Sequence, residues 1–163
     1  MNYLSNDEQF TIMNDKKLIP KPPYNLQRIW RKICMVIAKQ SLTTPSIRLK
    51  MLKMGGVKIK GKCFIGSGVQ FDGIYPNLIE IGDGCVITTG VHILSHFFNT
   101  KDRRFYAGKV IIGKKVFIGM NALIVNAVNI GDGAVIGAGS IVNRDIPAGE
   151  IWAGNPARFI RKA

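Results

Sequence analysis

Every sixth position from Ile112 to Val142 holds a branched aliphatic residue: Ile112, Ile118, Ile124, Ile130, Ile136 and Val142. A second row runs two residues ahead of it and is mostly small: Val110, Val116, Ala122, Val128, Ala134 and Ser140. Neither a helix nor a plain alternating strand produces this pattern. It fits a short strand and a sharp turn every six residues, with three such units closing one triangular coil. The large aliphatic points inward, the small residue fits the corner, and Gly or Asp takes the turn. One coil cannot bury its own apolar face, but stacked coils share a continuous core. The expected fold is therefore an all-β core, a left-handed parallel β-helix, which is an exception to the right-handed crossover rule.

The same rhythm runs upstream with two interruptions. Ile59, Ile65 and Phe71 form one triplet, and Ile81, Ile87 and Ile93 form the next. The phase breaks between Asp72 and Leu78, and again from Leu94 to about Lys109, so about four coils are expected between Val57 and Val142. Interruptions of a solenoid are loops thrown out from one corner, often on the binding face. The longer one carries Ser95, His96, Phe97, Phe98, Asn99 and Asp102, and is where chemistry is expected.

The chain of 163 residues reads as residues 1–54, an N-terminal extension, followed by residues 55–163, the coil domain. It has no apolar run of the ~18 residues needed to cross a membrane, and its first fifteen residues lack the basic-then-apolar order of a secretory signal. Three scattered cysteines make no disulfide framework. Cys63 and Cys85 fall at equivalent small-residue positions and are expected to stack as buried thiols, with no metal. These features point to a reducing, cytoplasmic setting.

The net charge of +13 is concentrated. Twelve Lys or Arg and no Asp or Glu lie between Lys16 and Lys60. Interleaved aromatics or a reading module would be needed for nucleic-acid binding, and neither is evident. Residues 26–42 instead place Ile29, Trp30, Ile33 and Ile37 at helical spacing among Arg28, Arg31, Lys32 and Lys39, which predicts a basic amphipathic helix. Two roles suit it, and they can hold together: packing on the solenoid as a cap over the open end of the first coil, or peripheral contact with an anionic membrane. Pro45 ends this helix, and Pro20, Pro22 and Pro23 mark an extended linker before it. Residues 1–19 carry too little periodicity to assign.

The coil signature includes Ile-Gly-Asp-Gly at 81–84, Ile-Gly at 112–113 and 118–119, and Ile-Gly-Asp-Gly-Ala-Val-Ile-Gly-Ala-Gly-Ser at 130–140. With the ending Ala153-Gly154-Asn155-Pro156-Ala157-Arg158, it resembles the bacterial hexapeptide-repeat acyltransferases. Within them, Val91-His92-Ile93-Leu94-Ser95-His96 is most similar to the maltose and galactoside O-acetyltransferases and to polysaccharide O-acetyltransferases. The resemblance implies an acetyl-CoA-dependent homotrimer with each active site between neighbouring subunits, and a sugar hydroxyl as acceptor. It places the family histidine at His96. Imidazole titrates near neutrality and can take the proton of a hydroxyl as the oxygen attacks a thioester. By position, Phe117 would wall the acetyl end, where relatives often carry Trp. Met120, Ala138, Asn143 and Arg144 would line the pantetheine arm, Arg158 and Arg161 would hold phosphates, and Trp152 would lie near the adenine.

His92 precedes Ile93 and belongs on the outer surface of its strand. Many relatives carry a carboxylate directly after the histidine, where this chain has Phe97. Asp72 lies one coil below Leu94, since Phe71 and Ile93 are equivalent positions, so it is a candidate either to bind the acceptor or to orient His96. The function expected is O-acetylation of a sugar in surface-polysaccharide assembly, by direct attack with no acyl-enzyme. The alternatives are acetylation of a xenobiotic or other small molecule, a metal-dependent lyase, for which the histidines are too few, and a non-enzymatic scaffold.

Overall fold

The computed structural model describes residues 26–40, 44–101 and 103–163. Expectations for residues 1–19, for the proline linker at 20–23, for the helix end at 41–42 and for Asp102 lie outside them.

Two helices lead into the strands, α1 (Leu26–Lys39) and α2 (Pro45–Met54). The sequence reading takes Pro45 only as a breaker, yet Thr44-Pro45 also starts a helix. The Thr44 side chain accepts from the Ile47 amide, and Pro45 sits where no intrahelical N–H is needed. Two-residue strands follow at the hexad positions: β1 (Lys58–Ile59), β2 (Phe64–Ile65) and β3 (Gln70–Phe71). A 3-10 turn at Pro76–Leu78 leads to β4 (Ile79–Ile81), β5 (Val86–Ile87) and β6 (His92–Ile93). The long interruption then folds as a hairpin, β7 (His96–Asn99) with β8 (Arg104–Ala107). The rhythm resumes in β9 (Val110–Ile112), β10 (Phe117–Ile118), β11 (Leu123–Ile124), β12 (Asn129–Ile130), β13 (Val135–Ile136) and β14 (Ile141–Val142). β15 (Glu150–Ala153) and β16 (Arg158–Lys162) end the chain.

These strands are sorted into three sheets, visited in rotation. The first sheet has the order β1-β4-β9-β12, the third β14-β11-β6-β3, and the second β16-β15-β13-β10-β5-β2. All pairs along the rotation are parallel, and each turn of the chain lands one strand further along every sheet. Four full turns fit between β1 and β14, and β15 adds a further rung to the second sheet before β16 pairs antiparallel on its edge.

The register stacks like on like. Ile59, Ile81, Ile112 and Ile130 form one inward row, and Ile65, Ile87, Ile118 and Ile136 another. Phe71, Ile93, Ile124 and Val142 form the third. All twelve are buried, and each contributes about 1.5–3 kcal/mol by leaving water. Coils this close leave no room for a side chain at some corners. A Cβ on Gly119 would sit 2.5 Å from the Ala138 amide nitrogen of the next coil.

The N-terminal helices meet the first coil through Arg48, which is 4% exposed. Its guanidinium donates to the carbonyls of Ala38 (3.0 Å), Gln40 (3.2 Å) and Ile65 (2.8 Å), tying both helices to β2. Cys34 and Ala38 are the residues of α1 that are buried. The helix is set against the first coil through this side, and Ile29, Trp30, Ile33 and Ile37 are exposed. Cys63 and Cys85 are buried free thiols that donate to the carbonyls of Gly82 (3.1 Å) and Gly113 (3.0 Å). Burial pushes the Cys85 thiol up to about 11, an inert protonated state.

Candidate active site

Both interruptions leave the same corner, between the third sheet and the first, on successive coils. Phe71 pairs with Ile93, so the segment after Phe71 lies directly beneath the segment after Ile93. Stacking therefore brings together residues that are 24 apart in sequence.

Asp72 is the hub. It is fully buried, and six protein donors converge on its carboxylate. Oδ1 accepts from the amides of Ile74 (2.8 Å) and Tyr75 (2.9 Å). Oδ2 accepts from the Ser95 amide (2.9 Å), the Ser95 hydroxyl (2.8 Å), the His96 amide (3.1 Å) and His96 Nδ1 (2.5 Å). Burial alone would raise its pKa, but the hydrogen bond to His96 and the amides of Tyr75 and Ile74 outweigh it. The carboxyl is held well below the usual carboxylate range and stays ionised.

An ionised carboxylate only accepts, so it fixes the proton of His96 on Nδ1 and leaves the lone pair on Nε2. The hydrogen bond to Asp72 raises the imidazole pKa, burial works against this, and the Asp72 charge adds to the rise. The His96 side chain keeps 27% of its surface exposed, so the ring is held at its base and reachable from outside. Tyr75, 2% exposed, stands edge-on to it with ring centroids 6.4 Å apart. An imidazole with a buried carboxylate on one nitrogen and an accessible lone pair on the other can serve as a general base.

The hairpin beyond His96 stands on aromatic pairs. Phe97 stacks on Tyr106 (5.6 Å) and Phe98 packs against Phe105 (4.9 Å), each pair directly across the two strands. Phe97 thus supports the hairpin, and the carboxylate beside His96 comes from the coil below.

For Asp72 the arrangement is that of an orienting residue. Of the two roles expected for it, orienting His96 is the one these contacts support, since the chain's own donors meet both oxygens. His92 is half-buried on the outer side of β6, with its Nε2 3.0 Å from Gln70 Nε2. Phe117 lies on the outer face of β10 between Val86 and Val135 and is 40% exposed. The second sheet faces away from the corner that carries His96, so one chain does not bring Phe117 to it. Met120 and Ala138 are exposed at the corner between the second and third sheets, where the Gly139 amide donates to the Met120 carbonyl (2.8 Å). Asn143 and Arg144 are exposed after β14, at the corner His96 shares, and Arg158 and Arg161 are exposed on β16. Trp152 is half-buried on β15, donating to Glu150 (2.9 Å). Sequence reasoning missed Tyr75 and named Ser95 only as part of the histidine loop, with no role of its own. The signal for both was that two interruptions in phase must leave one corner and meet.

Residues 109–144 match the model of a family described as "Hexapeptide repeat of succinyl-transferase". Among curated proteins the chain is 42% identical over 92 residues to YvoF of Bacillus subtilis (strain 168), named as a candidate acetyltransferase, covering 56% of this chain and 52% of that one. It is 49% identical over 57 residues to the 2,3,4,5-tetrahydropyridine-2,6-dicarboxylate N-acetyltransferase of Staphylococcus aureus (strain JH9), covering 35% of this chain and 24% of that one. The chain thus spans about half or less of the length of these relatives. Among solved structures it is similar to a hexapeptide-repeat containing acetyltransferase from Vibrio cholerae O1 biovar eltor complexed with acetyl coenzyme A. There the TM-score is 0.70 and the identity 25%, covering 83% of this chain and 86% of that one. A galactoside acetyltransferase in complex with coenzyme A gives a TM-score of 0.65 and 27% identity, covering 83% and 80%.

Proposed function

Since the chain belongs to the hexapeptide-repeat acetyltransferase family, we propose that it moves an acetyl group from acetyl-CoA to a saccharide hydroxyl, with His96 as general base. The observation that carries this reading is the buried Asp72 carboxylate on His96 Nδ1, which leaves Nε2 as an accessible proton acceptor. The left-handed sense of the winding is part of the same reading and rests on the match to the repeat.

Acetyl-CoA, when bound, supplies an activated acyl group as a thioester. His96 Nε2 takes the proton of the acceptor hydroxyl, and the imidazolium that forms is stabilised by the Asp72 charge beneath it. The same nitrogen then returns the proton to the departing thiolate. Ser95 and the backbone amides hold Asp72 rigid, so the Nδ1 proton stays on the ring while only Nε2 gains and returns one.

The residues present fit this co-substrate. Met120 and Ala138 offer an open track of small or flexible side chains on stacked corners, suited to an extended pantetheine arm. Arg158 and Arg161, exposed on the last strand, are cations of the geometry that phosphates bind. Phe117 and His96 lie on different sides of one chain, which supports a homotrimer in which neighbouring subunits complete each site. The galactoside-modifying structural relative supports a saccharide acceptor, surface-polysaccharide assembly is the pathway expected, and the cytoplasmic side of the membrane is the place we propose for the enzyme.

The test is CoA-thiol release from acetyl-CoA against free, nucleotide-linked and lipid-linked sugars, with amine acceptors in the same panel and His96→Ala alongside. Acceptor-dependent release on a hydroxyl, lost by about a hundredfold or more in His96→Ala while CoA still binds, is the expected result. Release on amines alone would replace the hydroxyl with a nitrogen acceptor. Absence of both release and CoA binding would sink the transferase reading.

A further inference from the structure

Helix α1 carries its apolar stripe on the wrong side for a packed helix. At 100° per residue, Leu26, Ile29, Trp30, Ile33, Val36 and Ile37 fall within one third of the helix circumference. Cys34 and Ala38, the side chains buried against the protein, lie outside it, beyond the Trp30 edge. The stripe is open along its length, from 84% exposed at Leu26 through 52% at Trp30 to 39% at Ile37. The second helix repeats the arrangement on a smaller scale. Its Leu52 and Arg48 face inward, while Ile47 and Met54 are exposed side by side and Lys50 lies next to Met54 on the wheel.

A continuous exposed stripe of this size marks an interaction surface, and the charge around it indicates the partner. Lys32 and Lys39 run along one edge of the stripe, exposed, and Lys50 and Lys53 are exposed on the adjoining helix. No Asp or Glu occurs anywhere between Lys16 and Lys60. A protein–protein seam usually carries both signs of charge to set its register, whereas an apolar face bordered by lysines alone is complementary to acyl chains beneath anionic headgroups.

We propose that α1 lies in the plane of an anionic membrane surface, with Trp30, Ile33 and Ile37 in the acyl boundary and Lys32 and Lys39 on the headgroups. Anchoring there has a consequence for the site. Met35, Val36 and Lys39 of the same helix line one groove with Val69, Gln70 and Phe71, and Phe71 leads directly into Asp72, which holds His96. A membrane-seated α1 therefore holds the His96 corner close to the bilayer, within reach of an acceptor carried on a lipid. The anchoring itself does not depend on the acetyl-transfer reading.

The experiment uses the full chain and vesicles of phosphatidylcholine, alone or mixed with phosphatidylglycerol. With Trp152→Phe as background, Trp30 becomes the sole tryptophan reporter. The expected result is flotation with the mixed vesicles, about tenfold or more over neutral ones and weakened by salt, with quenching of Trp30 by brominated acyl chains. Ile33→Ser/Ile37→Ser should abolish flotation while leaving the melting temperature and the oligomeric mass unchanged, and Lys32→Gln/Lys39→Gln should remove the preference for anionic lipid. No flotation of the unaltered chain, no quenching of Trp30, or a change of oligomeric mass in the serine variant (the stripe then being a seam between copies) would each overturn the proposal.

Discussion

His96 Nδ1 meets Asp72 Oδ2 at 2.5 Å, although the two residues come from different coils and different interruptions of the repeat. The contact exists because Phe71 and Ile93 stack in register and each is followed by a break in phase. Asp72→Asn keeps the volume but places an amide NH₂ among six donors and removes the charge. We expect kcat to fall by about a hundredfold or more, with the acceptor KM nearly unchanged, since Asp72 touches only protein. A KM rise with kcat intact would instead make Asp72 an acceptor-binding residue. Asp72→Ala orphans the same donors and the His96 imidazolium, and should cost about 3–5 kcal/mol in denaturant unfolding.

The pH profile follows from the same pair. In the proposed role His96 must be neutral to accept a proton, and the Asp72 hydrogen bond raises its pKa above the ordinary 6.5. Plotted against pH, kcat/KM should climb through a limb lying above 6.5, and in Asp72→Asn that limb should move down towards it. A wild-type limb at or below the ordinary value would contradict the coupling.

Stability should carry the matching signature. His96 has a raised folded pKa, so its charged pairing with Asp72 stabilises fully below the ordinary 6.5 and is lost as pH rises through the higher folded value. Asp72 has a depressed folded pKa, so its contribution is present above the ordinary 3.8 and fades as pH falls through the lower folded value. Melting temperatures across this range should decline on the alkaline side in wild type and stay flatter there in His96→Asn.

Glycines of the repeat should separate into two kinds. Gly119→Ala would put a Cβ 2.5 Å from backbone in the next coil, a collision no side-chain motion relieves. Gly133 has a φ of +68° with open space around it, so Gly133→Ala pays only the backbone strain of about 1–2 kcal/mol. Thermal unfolding should show Gly119→Ala as the more damaging of the two.

Arg48→Met tests the joint between the helices and the first coil. It removes the donors that hold three carbonyls and should cost about 2 kcal/mol or more, measured by chemical denaturation. Increased proteolysis between α2 and β1 should accompany it, while β-structure measured by circular dichroism is retained.

The sequence by itself determined the coil count, the inward rows and the corner from which both interruptions leave. A strict period of six is a local rule, and every Ile from Ile112 to Ile136 obeys it in the structure. Two points were beyond local rules. That α1 turns Cys34 and Ala38 inward, with its C-terminal carbonyls held by Arg48, was not legible in its amphipathic pattern. The carboxylate of the candidate base was named as one possibility among several, because sequence shows that Asp72 and His96 share a corner but not that six donors converge there. Periodicity reports which residues leave water, and that is settled within each hexad. Hydrogen bonds between segments 24 residues apart depend on the stacking of whole coils, so only the tertiary structure could decide them.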